Sequence, residues 1–237
     1  MGEETLTTNI LAVLVALLGP AMVIVARAAF FFGRTGWAPR LRAAVALWGV
    51  AALALWLTIG FGGHTLASIG LVKFNFASLG WGILFGIAGL ATFPFQIAVA
   101  KAMHRPPAPP EALEALAKVP LLGRIFLLFT AGLVEEFLFR AVPITLLLEL
   151  TGSFAVAIGI PLVAFVLMHR SSWGALHLIF VALVGAILTV AYLIGGFWAA
   201  VIAHLLVDMP LMLTAPSLAK RAKAGAERVS RPVSEAS

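Results

Sequence analysis

The sequence predicts an all-α membrane protein, a polytopic bundle of about seven transmembrane helices. Of its 237 residues, 62% are hydrophobic and only 11% are charged, against about 45–50% and about 25% in a typical soluble domain. The apolar residues fall into seven runs, most of them near the roughly 20 residues that span a bilayer. None of these runs alternates with period two over about ten positions, so helices rather than strands are expected.

The predicted segments, in chain order, are 10–32, 43–61, 77–100, 121–147, 153–169, 174–194 and 197–216. The first is preceded by two glutamates and by no lysine or arginine, whereas a signal peptide begins with a positive region. The fourth is long and carries charges, and the fifth is short enough to suit a helix buried among others. We divide the chain into N-terminal helices with a cytoplasmic loop (1–119), core helices (120–216) and a basic tail (217–237).

The basic residues predict how the helices are oriented. With the N-terminus outside, thirteen lysines and arginines fall in or beside the inner loops and the tail, and Lys73 alone falls outside. Positive residues are retained on the cytoplasmic side. The sequence therefore predicts an N-out, C-in, multi-pass protein of the plasma (inner) membrane.

Charge and composition also limit the partners. The net charge of +6 would fit nucleic acid in a soluble chain, but in a hydrophobic one it indicates the surface of the lipid bilayer. No nucleic-acid partner is expected. The absence of cysteine excludes disulfides, thiolate metal sites and a cysteine nucleophile.

Two segments outside the apolar runs have a predicted form. The proline-rich stretch 105–110 is expected to be stiff and extended, and 111–119 reads as an amphipathic helix on the inner surface. Leu113 and Leu116 are expected to face lipid there. The tail after Pro216 is expected to be mobile and attracted to anionic lipid.

Seven ionisable side chains lie inside or at the ends of the apolar segments. A charge at mid-membrane costs about 2.5–3.5 kcal/mol on insertion scales, so such residues are rarely kept without a use. They are Glu135, Glu136, Arg140, His169, His177, His204 and Asp208.

Helical geometry sorts these side chains. At about 100° per residue, Glu136 and Arg140 lie about 40° apart and are expected to pair, whereas Glu135 faces elsewhere and stays free. His204 and Asp208 share a face. Glu135, His169 and His204 come from three helices and are expected to meet in one polar cavity, where they could activate water and stabilise an oxyanion.

Other histidines have plainer interpretations. His177 is read as an interfacial histidine or one satisfied within the core. His64 and His104 are expected in loops.

Three motifs carry a resemblance to a known family. Residues 135–140 fit EExxxR, residues 165–169 fit FxxxH, and residues 204–208 occupy the place of HxxxN/D. Together, over roughly 120–212, the chain resembles the CPBP (Abi) family, which includes CAAX prenyl proteases and bacteriocin-processing enzymes.

The resemblance implies an intramembrane endopeptidase. It implies that Glu135 and His169 activate the attacking water and that His204 and Asp208 stabilise the oxyanion. Glu136, Arg140 and Phe165 would support the site. The prenyl proteases have asparagine where this chain has Asp208. An ionised aspartate cannot donate a hydrogen bond, so Asp208 is either protonated or orients His204.

The sequence leaves more than one catalytic chemistry open. Zinc could be held by Glu135, His169 and His204, although the resemblance favours a reaction that requires no cofactor. An aspartyl dyad is excluded because Asp208 is the only aspartate, and neither HExxH nor a rhomboid-like GxSG occurs. The expected substrate is a membrane-associated protein or peptide, either CAAX-like or a leader peptide.

Two other classes of function are open. The chain could be a non-catalytic membrane scaffold or bacteriocin-immunity protein that binds a peptide. It could also be a small proton-coupled transporter with Glu135 and His204 as a relay. Such transporters more often show internal repeats, and none is visible here.

Overall fold

The computed structural model describes residues 2–30, 37–72, 74–104, 110–170 and 175–230. Within these ranges the chain forms helices and loops and no strand, which confirms the all-α class. The α-helices are α1 (Glu3–Phe30), α2 (Ala38–Trp56), α3 (Phe76–Leu90), α4 (Thr92–Ala102), α5 (Pro110–Ala117), α6 (Leu121–Phe129), α7 (Val142–Thr151), α8 (Phe154–Met168) and α9 (Ala175–Ser230). Three π-helical segments accompany them: π1 (Leu57–Phe61), π2 (Thr130–Glu135) and π3 (Phe137–Ala141).

Four helical stretches in the described parts are long and apolar enough to cross a membrane: Glu3–Ala29, Ala38–Phe61, Phe76–Ala102 and His177–Ala224. The fourth predicted segment is divided among α6, π2, π3 and α7, and the fifth corresponds to the shorter α8. Helical segments therefore lie where the sequence predicts them, while the count of seven crossings and the N-out orientation stay predictions. The basic residues Arg34, Lys73, Arg105 and Arg231, and the stretch 105–109, lie outside the described residues.

Helix α9 is a hairpin that reverses at one residue. Gly196 has φ 79° and ψ −175°, a conformation open essentially to glycine. We call the halves α9a (175–195) and α9b (197–230). Along the stretch formed by α3 and α4, Trp81 lies against Gly195 and Phe95 of α4 contacts Phe180, whereas Gly82 faces Ile202 and Gly89 faces Val207. The α3–α4 stretch is thus antiparallel to α9a, and α3 is parallel to α9b.

Glycines allow α9b to pack closely against α3 on one side and π2 on the other. A Cβ added to Gly82, Gly86 or Gly89 of α3 would lie 2.5–2.7 Å from a side chain of α9b. On the other side, one added to Gly132 of π2 would lie 2.7 Å from Leu205. Small residues allow this close backbone approach. They fix the helix that carries His204 and Asp208.

The surroundings of helix α5 differ from the predicted lipid contact. Leu113 and Leu116 are 6% and 4% exposed, and Leu116 packs with Val119 and Ala215. The expectation that these leucines face lipid is therefore wrong, because α9b extends far enough to cover them.

The helix also continues through Pro216 to Ser230, where the sequence predicted an end. Proline has no N–H for the carbonyl of Met212. The Nη1 of Arg124 donates to that carbonyl instead, at 2.8 Å.

Candidate active site

The two glutamates lie in an unusual stretch of helix. The segments π2 and π3 follow one another with only Glu136 between them, and π-helical turns occur frequently at functional sites. Trp48 of α2 donates from Nε1 to the Thr130 hydroxyl at 3.0 Å, at the start of π2. That hydroxyl donates in turn to the carbonyl of Phe126. The wider turns alter the regular 100° steps assumed from the sequence.

Glu136 and Arg140 form the predicted pair. Arg140 Nη1 donates to Glu136 Oε1 at 2.9 Å, and both side chains are almost fully buried. Arg140 Nη2 also donates to the carbonyl of Gly185 at 3.2 Å. The guanidinium lies 4.3 Å from the centre of the Phe165 ring, a cation–π distance. This arginine therefore ties π3 to both α8 and α9a.

Glu136 has a second partner that the sequence did not reveal. His204 Nδ1 lies 2.6 Å from the same Oε1 atom, and since a carboxylate accepts, Nδ1 is the donor. On the other side of the ring, His204 Nε2 lies 3.6 Å from Asp208 Oδ2. The imidazole thus has a carboxylate at each nitrogen. A doubly protonated ring can donate to both groups, whereas a neutral ring held by Glu136 has no hydrogen on Nε2.

His169 is held in a defined tautomer. Its Nδ1 lies 2.8 Å from the carbonyl of Phe165, one turn earlier, and a carbonyl can only accept. In the neutral ring Nε2 therefore carries the lone pair. The Phe165 ring contacts both histidines, with centroid distances of 4.6 Å to His169 and 6.3 Å to His204.

Glu135 lies among these groups. It interacts electrostatically with His169, His204, Asp208 and Glu136, so the side chains predicted from three separate segments are neighbours. Its Oε2 is buried and has no hydrogen-bond partner in the described part of the chain, and the same is true of Glu136 Oε2. A buried carboxylate oxygen without a partner is costly unless water or a ligand meets it.

The arrangement does not match a metal centre. Among the described residues, no three His, Asp or Glu side chains are placed to share a metal ion. His204 of the zinc set proposed from the sequence directs Nδ1 to Glu136 and Nε2 towards Asp208. Metal independence of the reaction stays a prediction.

Of the remaining histidines, His177 lies within electrostatic range of His169 and Asp208, whereas His64 and His104 lie in loops. His177, on α9a, lies 3.5 Å from the amide nitrogen of Gln96. His64 lies in the loop after π1, as expected, and binds Asn9 and Glu149. His104 is exposed after α4.

Fold and site together define a helical membrane-type protein with a buried acid–histidine cluster. Residues 117–210 match the family model for type II CAAX prenyl endopeptidases, Rce1-like, which confirms the family relation indicated by the three motifs. The matched range runs from the end of α5 to Pro210 and includes every residue of the cluster. At the family level it supports a CAAX-type intramembrane protease. No curated protein and no solved structure matches the chain.

Proposed function

We propose that this chain is an intramembrane endopeptidase of the plasma membrane that hydrolyses a peptide bond of a membrane-associated substrate. CAAX-like protein tails are the first substrates to test and leader peptides the second. The observation that carries the proposal is the buried Oε2 of Glu135, which has no partner in the described chain and lies within electrostatic reach of two histidines and Asp208. A water molecule bound there would satisfy the carboxylate.

In this proposal Glu135 and His169 activate that water. The carboxylate orients it, and the Nε2 lone pair of His169 is available because Nδ1 donates to the carbonyl of Phe165. One proton passes from water to this acid–base pair while the oxygen attacks the substrate carbonyl carbon.

His204 stabilises the resulting oxyanion. Glu136 fixes the ring through Nδ1, and Arg140 fixes Glu136, so a proton on Nε2 points in a set direction. Asp208, at 3.6 Å from Nε2, balances the charge of the doubly protonated ring. A donor placed in advance, in a site with little water, is worth far more than one in bulk solvent.

Collapse of the tetrahedral intermediate completes the reaction. The carbon–nitrogen bond breaks, and the proton taken from water is returned to the leaving amine. The products are a new carboxylate and a new amine, with no change in oxidation state.

Loss of the Glu135 carboxylate tests the proposal. The purified full chain, in proteoliposomes, is given a fluorogenic peptide that ends in prenylated cysteine, two aliphatic residues and a variable residue, alongside an unprenylated leader-peptide library. Glu135→Gln should lower kcat by about 10²–10⁴-fold, the usual contribution of a general base. Glu149→Gln, on the same helical stretch and half-exposed, is the matched control.

Equal rates in the wild-type chain and Glu135→Gln would contradict the proposal. Flux of protons in the same vesicles without cleavage would favour a transporter, and peptide binding unaffected by Glu135→Gln would favour a scaffold.

Asp208→Asn tests the role given to the neighbouring carboxylate. If Asp208 keeps His204 charged, the amide should lower kcat by about 10²-fold, the effect of losing one oxyanion donor. Retained or increased cleavage would show instead that residue 208 donates directly to the oxyanion.

A further inference from the structure

Two arginines lie at the same end of the pair of helices α1 and α2, far from the candidate active site in sequence. Arg27 is in the last turn of α1, and Arg40 is in the first turn of α2. The stretches that could span a membrane end at Ala29 and begin again at Ala38, so each arginine lies just inside the end of a span. Both side chains are therefore at the depth where the apolar interior meets the lipid headgroups.

Helices α1 and α2 form an antiparallel hairpin. Near its middle, Gly19 of α1 packs directly against Val50 of α2. Closer to the start of α1, Asn9 lies against Gly62, which follows π1. Positions that rise along one helix thus meet positions that fall along the other.

Helix geometry places the two arginines side by side on this hairpin. Arg27 comes eight residues after Gly19, and Arg40 comes ten residues before Val50, so they lie about 12 and about 15 Å from that contact, in the same direction. At about 100° per residue, eight steps forward and ten steps backward each rotate a side chain by about 80° from the contact. Because the helices run in opposite directions, both rotations point to the same side of the hairpin. Arg40 accordingly interacts electrostatically with Arg27.

Neither arginine has a carboxylate partner in the part of the chain that the structure describes. The ion pairs formed there involve His64, Arg140 and His204. Arg27 is exposed, whereas Arg40 is partly buried, where solvent screens a charge less. Two neighbouring guanidinium groups repel each other, so an anion that binds both would stabilise the hairpin.

We propose that Arg27 and Arg40 together bind the phosphate of an anionic phospholipid. Each guanidinium presents a planar fork of donors that matches the oxygens of a phosphate. A lipid phosphate lies at the depth of the span ends, and basic pockets between membrane helices bind anionic headgroups. Glu3 and Glu4 lie in the first turn of α1, so only one end of the hairpin is complementary to such a lipid. This site does not depend on the proposed hydrolysis.

Lipid titration of thermal unfolding tests the site. The purified full chain in neutral detergent is titrated with phosphatidylglycerol or with phosphatidylcholine of the same acyl chains, and unfolding is followed by circular dichroism. At about ten times its Kd, phosphatidylglycerol should raise the unfolding midpoint by about 3–6 °C more than phosphatidylcholine does. Arg27→Gln and Arg40→Gln should each remove most of this difference. Arg221→Gln, which changes an exposed arginine of α9b, is the matched control and should keep it.

The order of the chains should differ in phosphatidylcholine alone. Without an anion the two cations repel each other, so Arg27→Gln should unfold at the temperature of the wild-type chain or above it. Arg40→Lys keeps the charge but loses the planar fork; it repeats the test if Arg40→Gln does not fold, and should lose about half of the difference or more.

An equal response of the wild-type chain and both glutamine variants to phosphatidylglycerol would overturn the site. A rise of the same size with inorganic phosphate, in the absence of anionic lipid, would overturn the assignment to a lipid.

Discussion

The described part of the molecule contains two histidine–glutamate pairs in very different surroundings. In the buried pair, His204 and Glu136 are 2.6 Å apart and their side chains are 5% and 0% exposed. In the rim pair, His64 and Glu149 are 3.4 Å apart, and the glutamate is 49% exposed. Glu136 also binds Arg140, whereas Glu149 lies at the edge of the bundle beside a loop histidine.

The comparison shows that burial decides how much the loss of one partner of an ion pair costs in stability. At the rim, solvent reaches the Glu149 carboxylate, and pairs that are open to solvent contribute only about 0–1 kcal/mol. In the buried pair there is no solvent to replace a lost partner, so removal of one member leaves a charge uncompensated. A histidine–glutamate pair is thus dispensable for stability at the rim and required for stability in the buried site.

Glu136→Ala should have the largest effect on stability. It leaves Arg140 and His204 buried without their shared carboxylate, which should lower the free energy of unfolding by about 3–5 kcal/mol. Thermal unfolding of the full chain in detergent, followed by circular dichroism, measures the change. Glu149→Ala should shift the midpoint little, and equal losses for the two variants would contradict the contrast between the pairs.

Gly86→Leu should have the next largest effect, because it moves the helix that carries His204. A Cβ at this position already lies 2.7 Å from Leu206, and overpacking of this kind costs up to about 3 kcal/mol. Gly80→Leu is the control, since nothing lies within 4 Å of its Cβ position. If both leucines lowered the unfolding midpoint and the cleavage rate equally, the close packing of α3 on α9b would not matter for the site.

Arg124→Met should have a smaller effect on the free energy of unfolding. It extends the comparison of buried and exposed charges to a buried cation whose partners are backbone carbonyls. The carbonyl of Met212 loses its donor, at a cost of roughly 2 kcal/mol. Pro216→Ala restores an N–H to the same carbonyl, so the double variant should lose less than Arg124→Met alone. A double-variant cycle on the unfolding free energy measures this. Strict additivity would show that Arg124 does not replace the missing N–H.

Local patterns in the sequence predicted much of the fold and some of the site. The apolar runs gave the helical segments, and four-residue spacing gave the Glu136–Arg140 pair, because both depend on residues close in sequence. The contact between Glu136 and His204 spans 68 residues and depends on packing of α9b against π2, which no local pattern contains. The π turns were missed for a similar reason, since they arise from backbone hydrogen bonds rather than from composition.

The burial of Leu113 and Leu116 was missed because an amphipathic face does not say whether lipid or protein covers it. The residue that covers Leu116 here, Ala215 of α9b, lies far away in sequence.

The reversal at Gly196 has a mechanical consequence. One residue joins the ends of α9a and α9b, so these two ends cannot separate. His177 and Asp208 lie 19 and 12 residues from Gly196, on α9a and α9b, where no peptide link joins the two helices. A small change of angle at Gly196 would therefore change the distance between His177 and Asp208 more than the distance between the two joined helix ends.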